Sequence, residues 1–258
     1  TGVQTCALPI SIAEFLGETP GPRPVSELWF GNHPDGPTLI NDGRTLGDLI
    51  AQDPKKALGS GILYAFGTNL PFLMKVIAPD ETLSLQVHPT KEIAREGYLR
   101  EEVLGIDRTA PNRSYRDMNH KPEMLYALTD FDALIGFRVP RKARRLLEGL
   151  DGELAELLRR RLNLSTVRGG LRSLASWVFD IDSPVTPPLV EEFVAACRSR
   201  LEAGESPSLR ADQLVCELEA AHGGDAGIIL AFLMNPVSLR AGEAAYIPPR
   251  QIHAYQRG

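Results

Sequence analysis

The run Leu83-Ser84-Leu85-Gln86-Val87-His88-Pro89 constrains this chain more than any other segment. In an extended strand, successive side chains point to opposite faces. Alternation predicts Leu83, Leu85 and Val87 facing a hydrophobic layer, with Ser84, Gln86 and His88 gathered on the other face. An inward row of polar groups costs several kcal/mol, roughly, unless something satisfies it. A metal ion or a polar ligand does so. Taken alone, the run fits equally well an exposed polar face carrying an incidental histidine.

Two further segments change that balance. In Asn119-His120-Lys121-Pro122-Glu123-Met124 the proline biases Lys121 toward extended backbone, so Lys121 and Glu123 share a face. A carboxylate beside a metal is a ligand, and a neighbouring lysine can carry a proton or anchor an anion. By itself this segment reads as a surface turn. The stretch from Gly242 to Tyr255 has the spacing Gly, five residues, Pro248, four residues, His253. It resembles the second motif of cupin barrels, where a turn brings a strand back so that the histidine points inward. That motif has glycine where this chain has Arg250, and a left-handed turn there costs a non-glycine residue on the order of 1 kcal/mol. Together the segments offer imidazole nitrogen from His88 and His253, carboxylate oxygen from Glu123 and amide oxygen from Gln86. This donor set suits one zinc ion, and also manganese, iron or cobalt.

Composition narrows the partners. A formal net charge of -5 argues against nucleic acid or an anionic membrane, since both reward clustered Lys and Arg. A small phosphorylated molecule needs only a few local cations. Cys6, Cys197 and Cys216 form no CxxC pair, which excludes a thiolate zinc site, argues against a disulfide framework and points to a reducing cytoplasm. No apolar run is long enough to span a bilayer. Residues 1–11 lack an initiator Met and a basic leader, and read as a non-native junction rather than a signal peptide.

The texture of the chain changes twice. Short strands and turns are expected over 12–139, with two brief helices. Thr45 and Asp48 form a capping-box variant opening a helix through Gln52, closed by Asp53-Pro54, and Thr90 caps a second helix to about Val103. Phe72 to Ile77 and Thr82 to Val87 read as strands. Over 140–221 the period becomes helical. Ala143, Leu146, Leu147, Leu150, Leu154, Leu157 and Leu158 form one apolar face, Phe193, Val194, Cys197 and Leu201 a second, and Leu214, Val215 and Leu218 a third. The arginines between Arg138 and Arg161 are interleaved with acids and read as a solvated helix face. From Gly227 strands return, at Ile228 to Leu233 and Ala244 to Ile247. The expected fold is mainly β with an α insertion: a cupin-type (jelly-roll) β-barrel over 12–139 and 222–258, with an inserted helical domain over 140–221.

QVHP, NHKPEM and GEAAYIPPRQIHAY resemble the signature segments of type I phosphomannose isomerases, as do ELWFGNHP (Glu27 to Pro34), GRTLGDLI and LPFLMKV. The resemblance runs from about Ile12 to Gln256. It implies a zinc-dependent interconversion of mannose 6-phosphate and fructose 6-phosphate through an enediol, with one Zn2+ per chain, no organic cofactor, a sugar phosphate as partner, and a monomer. It maps the metal ligands onto Gln86, His88, Glu123 and His253. It makes Lys121 a candidate proton carrier, lines the pocket with Tyr255, and places phosphate contacts at Lys75 and Ser84. Members of that family continue past HAY into an acidic strand and an arginine-bearing segment, so the expectation is a chain truncated at both ends. Two alternatives stay open: a non-catalytic metal-bearing cupin that binds a sugar phosphate, and an iron-holding cupin oxygenase. The glutamine ligand and NHKPE speak against the second.

Overall fold

A computed structural model describes residues 9–19, 25, 27–164 and 170–258. Cys6 and most of the expected junction lie outside the described residues. The chain divides into two compact units, one holding residues up to Glu81 together with Arg257, the other Thr82–Gln256 with Gly258.

The first unit contains helix α1 (Pro9–Leu16), strand β1 (Glu27–Phe30), helices α2 (Leu46–Gln52) and α3 (Pro54–Phe66), and strand β2 (Met74–Ile77). β1 and β2 pair antiparallel from Glu27↔Ile77 to Phe30↔Met74. The capping box at α2 is complete, with the Thr45 side chain accepting from Asp48 N and the Asp48 carboxylate accepting from Thr45 N. Helix α3 was not expected. Asp53-Pro54, read as a stop, is also a start: Asp53 accepts from Lys56 N, and proline sits at the first helical position, where its missing N–H costs nothing. Gly59, at φ 78, breaks the run, and no residue of α3 is buried. The amphipathic signal that reveals a helix is therefore weak there.

The second unit is built from α4 (Lys91–Val103), β3 (Glu123–Tyr126), β4 (Phe131–Phe137), α5 (Pro140–Leu147), α6 (Glu153–Leu164), α7 (Gly170–Val178), α8 (Pro187–Glu202), α9 (Leu209–His222), α10 (Gly227–Phe232), β5 (Met234–Leu239), β6 (Ala244–Ile247) and β7 (His253–Arg257). Its core is largely helical: Leu146, Leu147, Leu154, Leu158, Phe193, Val194, Cys197, Leu214 and Val215 are buried together with Phe232 and Met234. The first apolar face is divided between α5 and α6 by a turn with Gly149 at φ 68 and Gly152 at φ 114. Arg200 ties this core together by an ion pair to Asp212 and a bond to the Leu146 carbonyl.

Three expectations are corrected. Ile228 to Phe232 is helical in α10 rather than a strand; all five residues are buried, and a run buried all round carries no period to separate helix from strand. Thr82 to Val87 is extended but joins no ladder. It makes an isolated bridge between Gln86 and His253 and a bond from Leu83 N to Tyr255 O of 2.7 Å, and Val87 is exposed. The chain is also not mainly β. Among the described residues, ten helices accompany seven short strands, arranged as β1-β2, β3-β6 and β5-β4-β7 rather than as a closed barrel.

Candidate metal centre

Three backbone devices place the donors, all in the second unit. The Gln86–His253 bridge exchanges two bonds, 2.8 Å from Gln86 N to His253 O and 3.0 Å in return, and sets those residues side by side. Arg250 N donates to His88 O at 2.7 Å, tying the turn before β7 to the strand-like segment. Pairing of β3 with β6 puts Glu123 opposite Ile247. Arg250 holds φ 68, and among the described residues it is the only non-glycine at positive φ. The left-handed position that holds glycine in the motif is therefore present here despite the arginine that occupies it.

His88, Glu123 and His253 come together with one donor atom each, all within 4.8 Å of one another. His88 Nε2 lies 2.9 Å from Glu123 Oε1, and His253 Nε2 lies 3.3 Å from Glu123 Oε2. His253 is 1% exposed, and its Nε2 is buried without a hydrogen bond. The other ring nitrogen, Nδ1, is 3.0 Å from the Gln251 carbonyl and donates to it. A proton on Nδ1 leaves the Nε2 lone pair aimed at the cluster, which is how a ligating imidazole is oriented. Sequence reasoning missed this contribution of Gln251, because a carbonyl belongs to every residue and leaves no signal. Tyr255 Oη donates to Glu123 Oε2 at 2.5 Å.

Charge follows from these contacts. Burial opposes ionisation of Glu123, but the adjacent His253 and His88 imidazoles and the Tyr255 hydroxyl outweigh it and hold the carboxyl well below its ordinary range. Burial likewise opposes protonation of His253, and the Glu123 carboxylate and Gln251 carbonyl overcome it and raise its pKa. Burial and the adjacent carboxylate both push the Tyr255 hydroxyl upward. A fixed carboxylate facing two imidazoles, one of them buried, fits a divalent cation.

The remaining candidates are placed separately. Gln86 is partly buried beside His253, while Ser84 is exposed. Lys121 precedes β3 and is exposed, its amine 3.8 Å from Asp117. Lys75, in the first unit, pairs with Glu27 at 3.1 Å and lies 4.1 Å from the Trp29 ring centroid.

The cluster of His88, Glu123 and His253 is of the kind that can hold a metal ion, and the sequence profile "Phosphomannose isomerase type I, catalytic domain" matches residues 10–140. The chain belongs to that family. It is similar to mannose-6-phosphate isomerase 1 of Arabidopsis thaliana, 32% identical over 92% of this chain and 55% of the relative, and to mannose-6-phosphate isomerase of Bos taurus, 33% identical over 96% and 59%. Among solved structures it resembles mannose 6-phosphate isomerase from Salmonella typhimurium bound to fructose 6-phosphate and zinc, with a TM-score of 0.83 and 29% identity over all of this chain and 64% of that one. The chain thus spans less than two thirds of the length of these relatives.

Proposed function

We propose that this chain serves the interconversion of mannose 6-phosphate and fructose 6-phosphate, with one zinc ion held by His88, Glu123, His253 and Gln86. The observation that carries the reading is the buried, unbonded Nε2 of His253 beside the Glu123 carboxylate and His88. Zinc and fructose 6-phosphate in the Salmonella typhimurium relative support the choice of ion and substrate. In this reading Glu123 stays ionised, and Tyr255 orients it through the bond to Oε2. Gln251 fixes the His253 tautomer. Moving a carbonyl between neighbouring carbons requires a proton to leave one carbon and reach the next through an enediol, and Lys121 is the candidate carrier. Zinc, when bound, polarises oxygen and stabilises negative charge. Lys75 and Ser84 remain candidates for phosphate contact on the resemblance of their segments. We also propose a cupin-type β-domain over 12–139 and 222–258 with a helical insertion over 140–221, and a monomer acting in the cytoplasm. Among the described residues no helix is long and apolar enough to cross a membrane.

Metal analysis and a coupled assay for fructose 6-phosphate test the function. The expected result is about one zinc per chain, with turnover in the chain or in its full-length gene product. Zinc without turnover in the full-length product would favour the non-catalytic sugar-phosphate binder. Near-normal turnover of a fully metallated Lys121→Met variant would remove Lys121 as the essential base.

A further inference from the structure

A groove of ≈ 560 Å³ in the second unit shares His88 with the metal centre but is lined by neither Glu123, Lys121 nor Tyr255. That volume is within the range of small-molecule sites, about 300–1,000 Å³. Ile93 and Phe137 supply apolar wall, and Tyr115 an aromatic one. Two guanidinium groups line the same groove, Arg172 from α7 and Arg250 from the turn before β7. No carboxylate lines it, although the chain as a whole carries a net charge of -5.

Several well-covered arginines of this unit are already engaged by protein groups. Arg113, Arg159 and Arg200 are each bonded to carboxylates and carbonyls. Among the described residues, neither the Arg172 nor the Arg250 side chain makes a hydrogen bond or ion pair. Arg250 also occupies a backbone conformation suited to glycine, at φ 68. Backbone strain of this kind is retained where a side chain is needed at a ligand. Guanidinium groups recognise phosphate by paired N–H donors, and aromatic and apolar walls receive the uncharged part of an organic ligand.

We propose that this groove is a second ligand site, adjoining the metal centre at His88, for a small organic phosphate. Its phosphate is held by Arg172 and Arg250, and its apolar or aromatic portion packs against Tyr115, Phe137 and Ile93. Ser176 adds a hydroxyl donor on the α7 side. The inference does not depend on the isomerase reading, because it rests on binding alone.

Calorimetric titration of the zinc-loaded chain with phenyl phosphate tests it, with inorganic phosphate for comparison. Phenyl phosphate is expected to bind more tightly than inorganic phosphate. Arg172→Gln and Arg250→Gln should each weaken it about tenfold or more, the worth of a charge-assisted bond. Both side chains are exposed, so the variants should keep their helical spectrum and zinc content, and Lys121→Met should bind as the unmodified chain does. Unchanged affinity in the two arginine variants overturns the proposal. So does loss in Lys121→Met alone, no advantage over inorganic phosphate, or no binding at millimolar concentration.

Discussion

Glu123 takes on three contacts at once, with Tyr255, His253 and His88. Its Oε2 receives Tyr255 Oη while also facing the buried nitrogen of His253, and its Oε1 faces His88. Removing the hydroxyl leaves the donors in place but frees the carboxylate to turn. Tyr255→Phe should therefore lower zinc affinity by about 10–100-fold, as loss of an outer partner does, with a chelator competition titration as the measure. Arg250 is the second residue at which sequence and geometry meet. An arginine in place of the motif's glycine spoke against a left-handed turn, yet Arg250 adopts one at φ 68. Arg250→Gly should raise stability by up to about 1 kcal/mol, the strain removed being partly offset by the entropy of glycine in the unfolded chain. Urea denaturation measures it. That His88, Glu123 and His253 lie together was legible because the spacing of their segments is a local property. The Gln251 carbonyl was not, and neither was the groove, whose residues are scattered along the chain and share no pattern.

At the scale of elements, the helix signals that succeeded were those written in side chains. Thr45 and Thr90 cap α2 and α4 as their spacing predicts. The failures share a cause: α10 is buried on every side and α3 on none, so neither has an amphipathic stripe to read. Helix α4 also anchors the loop that follows it. Glu101 accepts from Ser114 N at 3.0 Å and Tyr115 N at 2.8 Å and pairs with Arg113. Burial works against its ionisation, but the bonds from Tyr115 and Ser114 and the charge of Arg113 prevail and lower its pKa below the ordinary 4.5. A carboxyl depressed on folding stabilises above its unfolded pKa, and that contribution is lost as pH falls through the folded value. The loop at Ser114 and Tyr115 should thus loosen under acid conditions below 4.5 in the natural chain. Hydrogen exchange at those amides checks this. In Glu101→Gln their protection should already be reduced at neutral pH.

For the whole molecule, the main correction concerns where stability resides. The sequence suggested a barrel carrying a helical appendage, yet the principal buried cluster of the second unit is helical and includes Leu134 of β4 and Ala254 of β7. Period alone could identify the helical faces but not which strands they cover, since that is decided by packing between distant segments. The Arg200–Asp212 pair is set deep in this cluster, 6% and 0% exposed at the side chains. Asp212→Asn leaves a buried cation without its counter-charge and should cost about 3–5 kcal/mol, read from the urea midpoint. Replacing both residues with apolar ones of similar volume should recover most of that loss.

The separation of the metal donors along the chain has a consequence for biosynthesis. Arg200 and Asp212 are only 12 residues apart, whereas Glu123 and Tyr255 are separated by 132. During translation His88 and Glu123 leave the ribosome well before His253, and the helices between them can collapse on one another in the meantime. An ion that meets the nascent polypeptide early finds two donors and no enclosure. Zinc capture therefore belongs to the end of synthesis of this segment, and occupancy of the centre marks a molecule whose distant halves have already met.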